Sequence, residues 1–274
     1  MDAHQHFWNL QQVEYPWLGP EHGPIYRSFE PGELEPQLLA AGIDKTVLVQ
    51  AANSYEDTEY MLSQAERFGW IGGVVGWVPL MKRREAEEKL KQWTKNPVFK
   101  GIRHLIHDER DPDWVIQGEV IEGLRVLAAY GMTFDVVAVF PDHLKHVPLL
   151  AEQVPGLKLV IDHLAKPPIA KKGWEPWAEQ LERAAQYPDV YAKVSGLNTA
   201  AGDDWTAADL KPYIDFAVKT FGAERLMFGS DWPVAIMAGD YAQVWCETNK
   251  ALESYPKADK EAILGGTAAR FYHL

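Results

Sequence analysis

The sequence predicts a single-domain α/β fold, a (β/α)8 TIM barrel spanning residues 1–274, and three observations predict it. The chain has 274 residues, close to the roughly 250 that one such barrel uses. Short runs rich in β-branched residues alternate with stretches of helical period, at intervals of about 25 to 40 residues, as parallel βαβ units do. Neither a G-x-G-x-x-G turn nor a Walker sequence follows the first strand, as a doubly wound nucleotide-binding sheet would require.

The predicted strands are DAHQHFW (2–8), KTVLVQ (45–50), WIGGVVGWV (70–78), VFKGIRHLI (98–106), MTFDVVA (132–138), LKLVID (157–162), VYAKVS (190–195) and RLMFGS (225–230). The helical stretches between them begin with PGELEPQLLAAG, where Pro-Gly-Glu-Leu starts a helix and Gly42 ends it. YEDTEYMLSQAERFG, REAEEKLKQWTKN, GEVIEGLRVLAAYG, PDHLKHVPLLAEQVPG, EPWAEQLERAAQYP and TAADLKPYIDFAVKTFG follow in turn. Gly or Pro stands at nearly every helix exit. No low-complexity linker divides the chain.

Composition narrows the function classes. Hydrophobic residues at 47% and charged residues at 24% are ordinary for a globular protein. A net charge of −12 argues against nucleic acid and against an anionic membrane surface. The basic clusters KRR (82–84) and AKK (170–172) read as solvated faces. Cys246 is the only cysteine, so an intrachain disulfide and any cysteine-rich metal site are excluded, and a metal would need His and carboxylate. No apolar run is long enough to span a bilayer. The opening residues lack signal-peptide order, so a cytoplasmic location is expected.

In such barrels the chemistry sits at the C-terminal strand ends. His4 and His6 lie two apart on the first strand, so their side chains share a face, about 7 Å from each other. The fourth strand ends with Arg103 and His104, and the sixth with His163 and Lys166. The seventh carries Lys193 and Ser195, and the eighth ends at Asp231. Burying such charges in apolar strands is costly unless they are paired or bound. Plainer roles are available as well: Asp231 as a helix N-cap, His163 as a core histidine with Asp162 as its partner, Arg103 and Lys193 as interior ion pairs. Of the other histidines, His22 and His107 fall in loops, while His143, His146 and His273 read as surface residues.

DAHQHFW, GIRH, DHLAKPP, YAKVSG and FGSDWPV, in this order, resemble the amidohydrolase superfamily, in particular its branch containing L-fuconolactone and L-rhamnonolactone hydrolases. GGTAARFY near the C-terminus is similar to that group too. The resemblance covers essentially the whole chain. It implies a hydrolytic site in which His4, His6 and Asp231 occupy metal-ligand positions and His163 is the sixth-strand histidine. It also implies a small-molecule sugar lactone as substrate and one divalent metal ion, zinc first, or no metal at all. The fifth strand carries no histidine and the fourth offers Arg-His, which argues against a two-metal centre.

On that reading Asp231 takes a proton from the attacking water and His163 orients water or substrate. Arg103, His104 and Lys193 are donors for the carbonyl oxygen as it becomes negative. Trp8, Trp77 and Trp232 would stack on the C–H face of a sugar, with Asn53, Arg103 and Lys193 reading hydroxyls. The loop 8–30 would close as a lid. Two rivals remain: decarboxylation of an aromatic or unsaturated acid on the same barrel, and a non-catalytic barrel that binds sugar acids.

Overall fold

The computed structural model describes residues 1–274 as eight parallel strands in the order β1 to β8. These are β1 (Asp2–Gln5), β2 (Thr46–Val49), β3 (Ile71–Gly76), β4 (Phe99–His104), β5 (Thr133–Val136), β6 (Leu159–Ile161), β7 (Val190–Val194) and β8 (Leu226–Phe228). All eight predicted strands form, each shorter than its sequence run. The runs extend past the ladder at one or both ends, and their C-terminal residues pass into the loops that build the site.

Seven helices follow the first seven strands as the periodicity predicts: α1 (Pro31–Ala41), α2 (Tyr55–Arg67), α3 (Arg83–Trp93), α4 (Gly118–Ala129), α5 (Val147–Gln153), α6 (Trp177–Ala185) and, after a short α7 (Leu197–Ala201), α8 (Ala207–Phe221). Gly42 ends α1 at φ 68°, the left-handed stop expected of a glycine. Beyond β8 come α9 (Tyr241–Ala251), α10 (Lys257–Glu261) and α11 (Thr267–Tyr272). No helix is long and apolar enough to cross a membrane.

The barrel closes where the end of β8 meets β1. Asp231 N donates to His4 O at 2.8 Å, and His6 N donates to Trp232 O at 2.7 Å. Gly229 permits this approach: a Cβ there would lie 2.5 Å from the His4 Cβ. Asp2 locks the seam, accepting from the backbone N–H of His4 (3.1 Å) and Ser230 (2.9 Å) and from the Tyr241 hydroxyl (3.1 Å).

Strand parity sorts the side chains into two populations. Outward residues such as Leu48, Ile102, Phe134 and Phe228 pack against the helices. Inward ones, Val47, Val75, Val160 and Met227, fill the barrel with Phe271 and Tyr272 of α11. Above this apolar layer the interior turns ionic: Lys193, Asp135 and Asp162 are all buried, and Tyr272 donates to Asp135 at 2.8 Å. The predicted surface histidines divide. His273 is exposed, but His143 and His146 are buried, because the turn entering α5 packs them inward and pairs His146 with Asp113 at 2.9 Å. Residues 82–84 and 170–172 are exposed.

Candidate active site

Three imidazoles and one carboxylate converge above the ionic layer. His4 Nε2 lies 3.1 Å from His6 Nε2. Asp231 Oδ1 is 3.4 Å from His6 Nε2, 3.7 Å from His4 Nε2 and 3.8 Å from His163 Nε2. Each ring is held from behind by its other nitrogen. His6 Nδ1 donates to the Val49 carbonyl at 2.7 Å. His4 Nδ1 faces Asp162 Oδ1 at 3.3 Å and Lys193 Nζ at 3.1 Å, and His163 Nδ1 faces Ser195 Oγ at 2.9 Å.

For His6 that backing decides the tautomer. A carbonyl only accepts, so His6 carries its proton on Nδ1 and its Nε2 is a bare lone pair. His4 Nδ1 faces both an acceptor, Asp162 Oδ1, and a donor, Lys193 Nζ, so its backing does not fix a tautomer. Burial pushes all three histidines down, His163 to about 4 against the pull of Asp231 and Asp162, so the rings are neutral at pH 7. Burial would raise Asp231, but His163, His6 and His4 outweigh it and hold the carboxyl far below the usual range. Asp231 Oδ2 has no hydrogen-bond partner although it is buried. The bare His6 Nε2 and the Asp231 carboxylate therefore face one another at 3.4 Å with no proton between them, an arrangement that a cation relieves.

The donor set fits a single metal ion. Tetrahedral zinc with ligand bonds of about 2.0–2.1 Å separates its ligand atoms by about 3.3 Å, and the His4–His6–Asp231 separations of 3.1, 3.4 and 3.7 Å bracket that value. These three residues form one candidate metal group, and His4, Asp162 and His163 a second that shares His4. The charges agree: Arg103 and Lys193 are two cations against the three carboxylates of Asp135, Asp162 and Asp231. A carboxylate behind a histidine, as Asp162 stands behind His4, is the usual support of such a ligand.

The convergence point forms the floor of a cavity of about 610 Å³, within the range of small-molecule sites. His6, His163, Asp231, Arg103 and Lys166 reach it, and Trp8, Trp17 and His22 make one wall. Leu105, Val137, Val139 and Val234 supply apolar surface. Arg103 is tied on three sides, to Asp162 Oδ2 (3.2 Å), to His4 Nε2 (3.4 Å) and, closely, to the Gln50 carbonyl.

Several predicted site residues stand elsewhere. Lys193 is fully buried beneath the floor, where it pairs with Asp135 at 2.5 Å and Asp162 at 3.1 Å; it supports His4 and cannot reach substrate. His104 follows Arg103 directly and so points outward. It stacks on Trp114 at 4.0 Å, accepts from Trp77 Nε1 at 2.9 Å and meets Glu109 at 2.8 Å. Asn53 accepts from Leu105 N at 2.9 Å and lies 3.1 Å from His104. Trp77 and Asn53 therefore brace the wall from outside the cavity. Trp232 packs edge-on against Phe7 and Phe29 at 5.8 and 5.3 Å. Of the six expected stacking and hydroxyl-reading residues, only Trp8 and Arg103 line the cavity.

The first loop stands against the cavity and is held there by side-chain hydrogen bonds. Trp8 Nε1 donates to Arg27 O at 2.6 Å, Trp17 Nε1 to Ala51 O at 2.7 Å and the Tyr15 hydroxyl to Asp57 at 3.1 Å. Sequence reasoning missed Trp17 and His22 as lining residues and Asp135 as a counter-ion. An aspartate inside the apolar run MTFDVVA was the available signal for the last.

The amidohydrolase family model matches residues 1–274. The chain belongs to the amidohydrolase family. This amidohydrolase is 37% identical over 280 residues to the L-fucono-1,5-lactonase of Burkholderia ambifaria, covering 100% of this chain and 95% of that one. Against the L-fucono-1,5-lactonase of Burkholderia multivorans the identity is 34% over 288 residues, covering 100% and 96%. A Burkholderia multivorans amidohydrolase solved with bound zinc superposes with a TM-score of 0.92 at 34% identity, covering 100% of this chain and 98% of that one.

Proposed function

We propose that this amidohydrolase opens the ring of an L-configured six-carbon deoxy-sugar lactone of the L-fucono-1,5-lactone type. The observation that carries the proposal is the meeting of His4, His6, His163 and Asp231 at the floor of a cavity, with Asp231 Oδ2 unpaired. Two L-fucono-1,5-lactonases at 37% and 34% identity over the whole chain support the substrate class.

His4, His6 and Asp231 would hold one divalent ion, zinc by preference. Such an ion lowers the pKa of a bound water from about 16 toward 7 and polarises a carbonyl. The protein's own groups do the rest. Asp231 Oδ2, free of other partners, accepts the proton of the attacking water and returns it to the departing ring oxygen. Arg103 stands beside His4 with its guanidinium fixed by Asp162 and Gln50, so it donates to the carbonyl oxygen as negative charge develops there. His163, neutral and aimed at Asp231, orients the water. Trp17, half-buried and backed by the fully buried Trp8, offers a flat face to the C–H side of the sugar, and the valines suit a deoxy methyl group.

The test is a pH-indicator screen of aldonolactones alongside metal content by plasma mass spectrometry. Acid release from L-fucono- or L-rhamnonolactone is expected. Turnover confined to D-gluconolactone, or carbon dioxide release from a benzoate-type acid in place of lactone opening, overturns the proposal.

A further inference from the structure

His163, Leu164, Ala165 and Lys166 all adopt left-handed backbone, with φ of 57, 49, 62 and 51°. None is glycine, and each such residue carries a conformational cost of about 1–2 kcal/mol, so the surroundings must impose the turn. They do so through the two middle residues. The Leu164 carbonyl accepts from Trp177 Nε1 at 2.8 Å and the Ala165 carbonyl from Phe140 N at 3.0 Å, and both side chains are buried. Lys166 N closes the turn on His163 O at 2.8 Å. With three residues per turn, positions i and i+3 fall on the same side. His163 and Lys166 accordingly both face the cavity.

Lys166 is half-buried there, and no carboxylate lies within 4.0 Å of its ammonium. Arg103, the other cation of the wall, is already neutralised by Asp162. Asp108 also lines the cavity, but it lies beside His107, at 3.6 Å, and farther than 4.0 Å from Lys166. In a chain of net charge −12, a strained turn thus brings into the cavity an ammonium that no carboxylate touches. Sugar hydroxyls are neutral and do not call for it. Ring opening adds water across the ester C–O bond, leaves a hydroxyl and a carboxylate, and releases one proton at neutral pH. The carboxylate is the one full anion the organic substrate becomes.

We propose that Lys166 forms an anion subsite that holds the carboxylate of the ring-opened sugar acid, which makes that acid a competitive inhibitor. This rests on the proposed lactonase reading for the identity of the acid, and the test separates the two. L-Fuconate is titrated calorimetrically into the metal-loaded wild type and into Lys166→Gln and Lys166→Arg, and KM for the lactone is measured on the same proteins. In Lys166→Gln the Kd for L-fuconate should rise at least tenfold more than the lactone KM, and Lys166→Arg should recover most of the loss. Equal rises in both constants, or an unchanged Kd, overturn the subsite even where lactone is turned over. Lys166-dependent L-fuconate binding without any lactone turnover keeps the subsite and overturns the lactonase reading. Circular dichroism on both variants guards against misfolding, with the arginine variant as the less disruptive of the pair.

Discussion

Two sets of strand-end histidines share one barrel rim and have opposite fates. At β1 and β6, each ring of His4, His6 and His163 is anchored through Nδ1, and each Nε2 is turned toward Asp231 beyond the end of β8. At β4, both nitrogens of His104 are engaged, one by Trp77 and the other by Glu109, and its face is covered by Trp114. The first set can bind and react; the second can only brace. The cause is parity. His4 and His6 are two residues apart and share a face, whereas Arg103 and His104 are adjacent, so a strand that turns one inward must turn the other outward. A strand-end histidine becomes reactive when one nitrogen is held and the other has nowhere to go but the cavity.

The sharpest way to break this contrast is at Asp231. Asp231→Asn keeps the shape but removes the proton acceptor, and kcat should fall by roughly 10²–10⁴. A loss below tenfold in a stopped-flow or pH-indicator assay sinks its role, and a barrel that only binds sugar acids would have no rate to lose. His6→Ala should lose the bound divalent ion, read as metal per chain by plasma mass spectrometry.

Lys193 comes next, because it supports the reactive side from below. Lys193→Met leaves Asp135 and Asp162 buried without their shared cation, which should cost about 3–5 kcal/mol of stability in urea unfolding. Asp135 is the carboxylate expected to take up a proton in response: burial already pushes it up to about 6 despite Lys193, whereas Lys193, His4 and Arg103 together overcome burial and hold Asp162 well below the usual range. Unchanged stability would mean that the ionic layer is incidental.

Gly196 sharpens the contrast from behind. It lies at φ 57°, and a Cβ there would come within 2.7 Å of His163 Nδ1 and 2.9 Å of Asp231 Oδ2. Gly196→Ala should displace both groups and lower kcat by about 10²-fold, with the fold retained by circular dichroism. Full activity would show that the position of Asp231 Oδ2 does not matter to the reaction.

Much of this was legible in the sequence. The alternation of runs carried the barrel, and the spacing of His4 and His6 carried their convergence, because side-chain parity is local and survives without coordinates. The same parity rule, applied to Arg103 and His104, would have excluded His104 from the cavity. What stayed illegible was long-range: Lys193 reads as a polar strand residue until Asp135, Asp162 and the Tyr272 hydroxyl are seen around it. Trp77 and Trp232 stand at the expected strand ends, but an indole reaches far enough to pack in either direction, so sequence position alone could not assign them to the cavity. His143 and His146 looked solvated because the turn that buries them is set by packing rather than by periodicity.

The smallest expected effect is the one that most directly tests the comparison. His104→Gln removes the stack on Trp114 but leaves a donor and an acceptor near Trp77 and Glu109. It should cost about 1 kcal/mol of stability and change kcat by less than about threefold, under 1 kcal/mol of barrier. A modest rise in KM is compatible with bracing, since Asn53 and His104 support the segment that carries Leu105 and His107 to the cavity. A fall in kcat near that of Asp231→Asn would place His104 among the reacting groups and erase the distinction between the two sides of the rim. Because its ring nitrogens already have partners, the expected outcome is a protein slightly easier to unfold and nearly as fast.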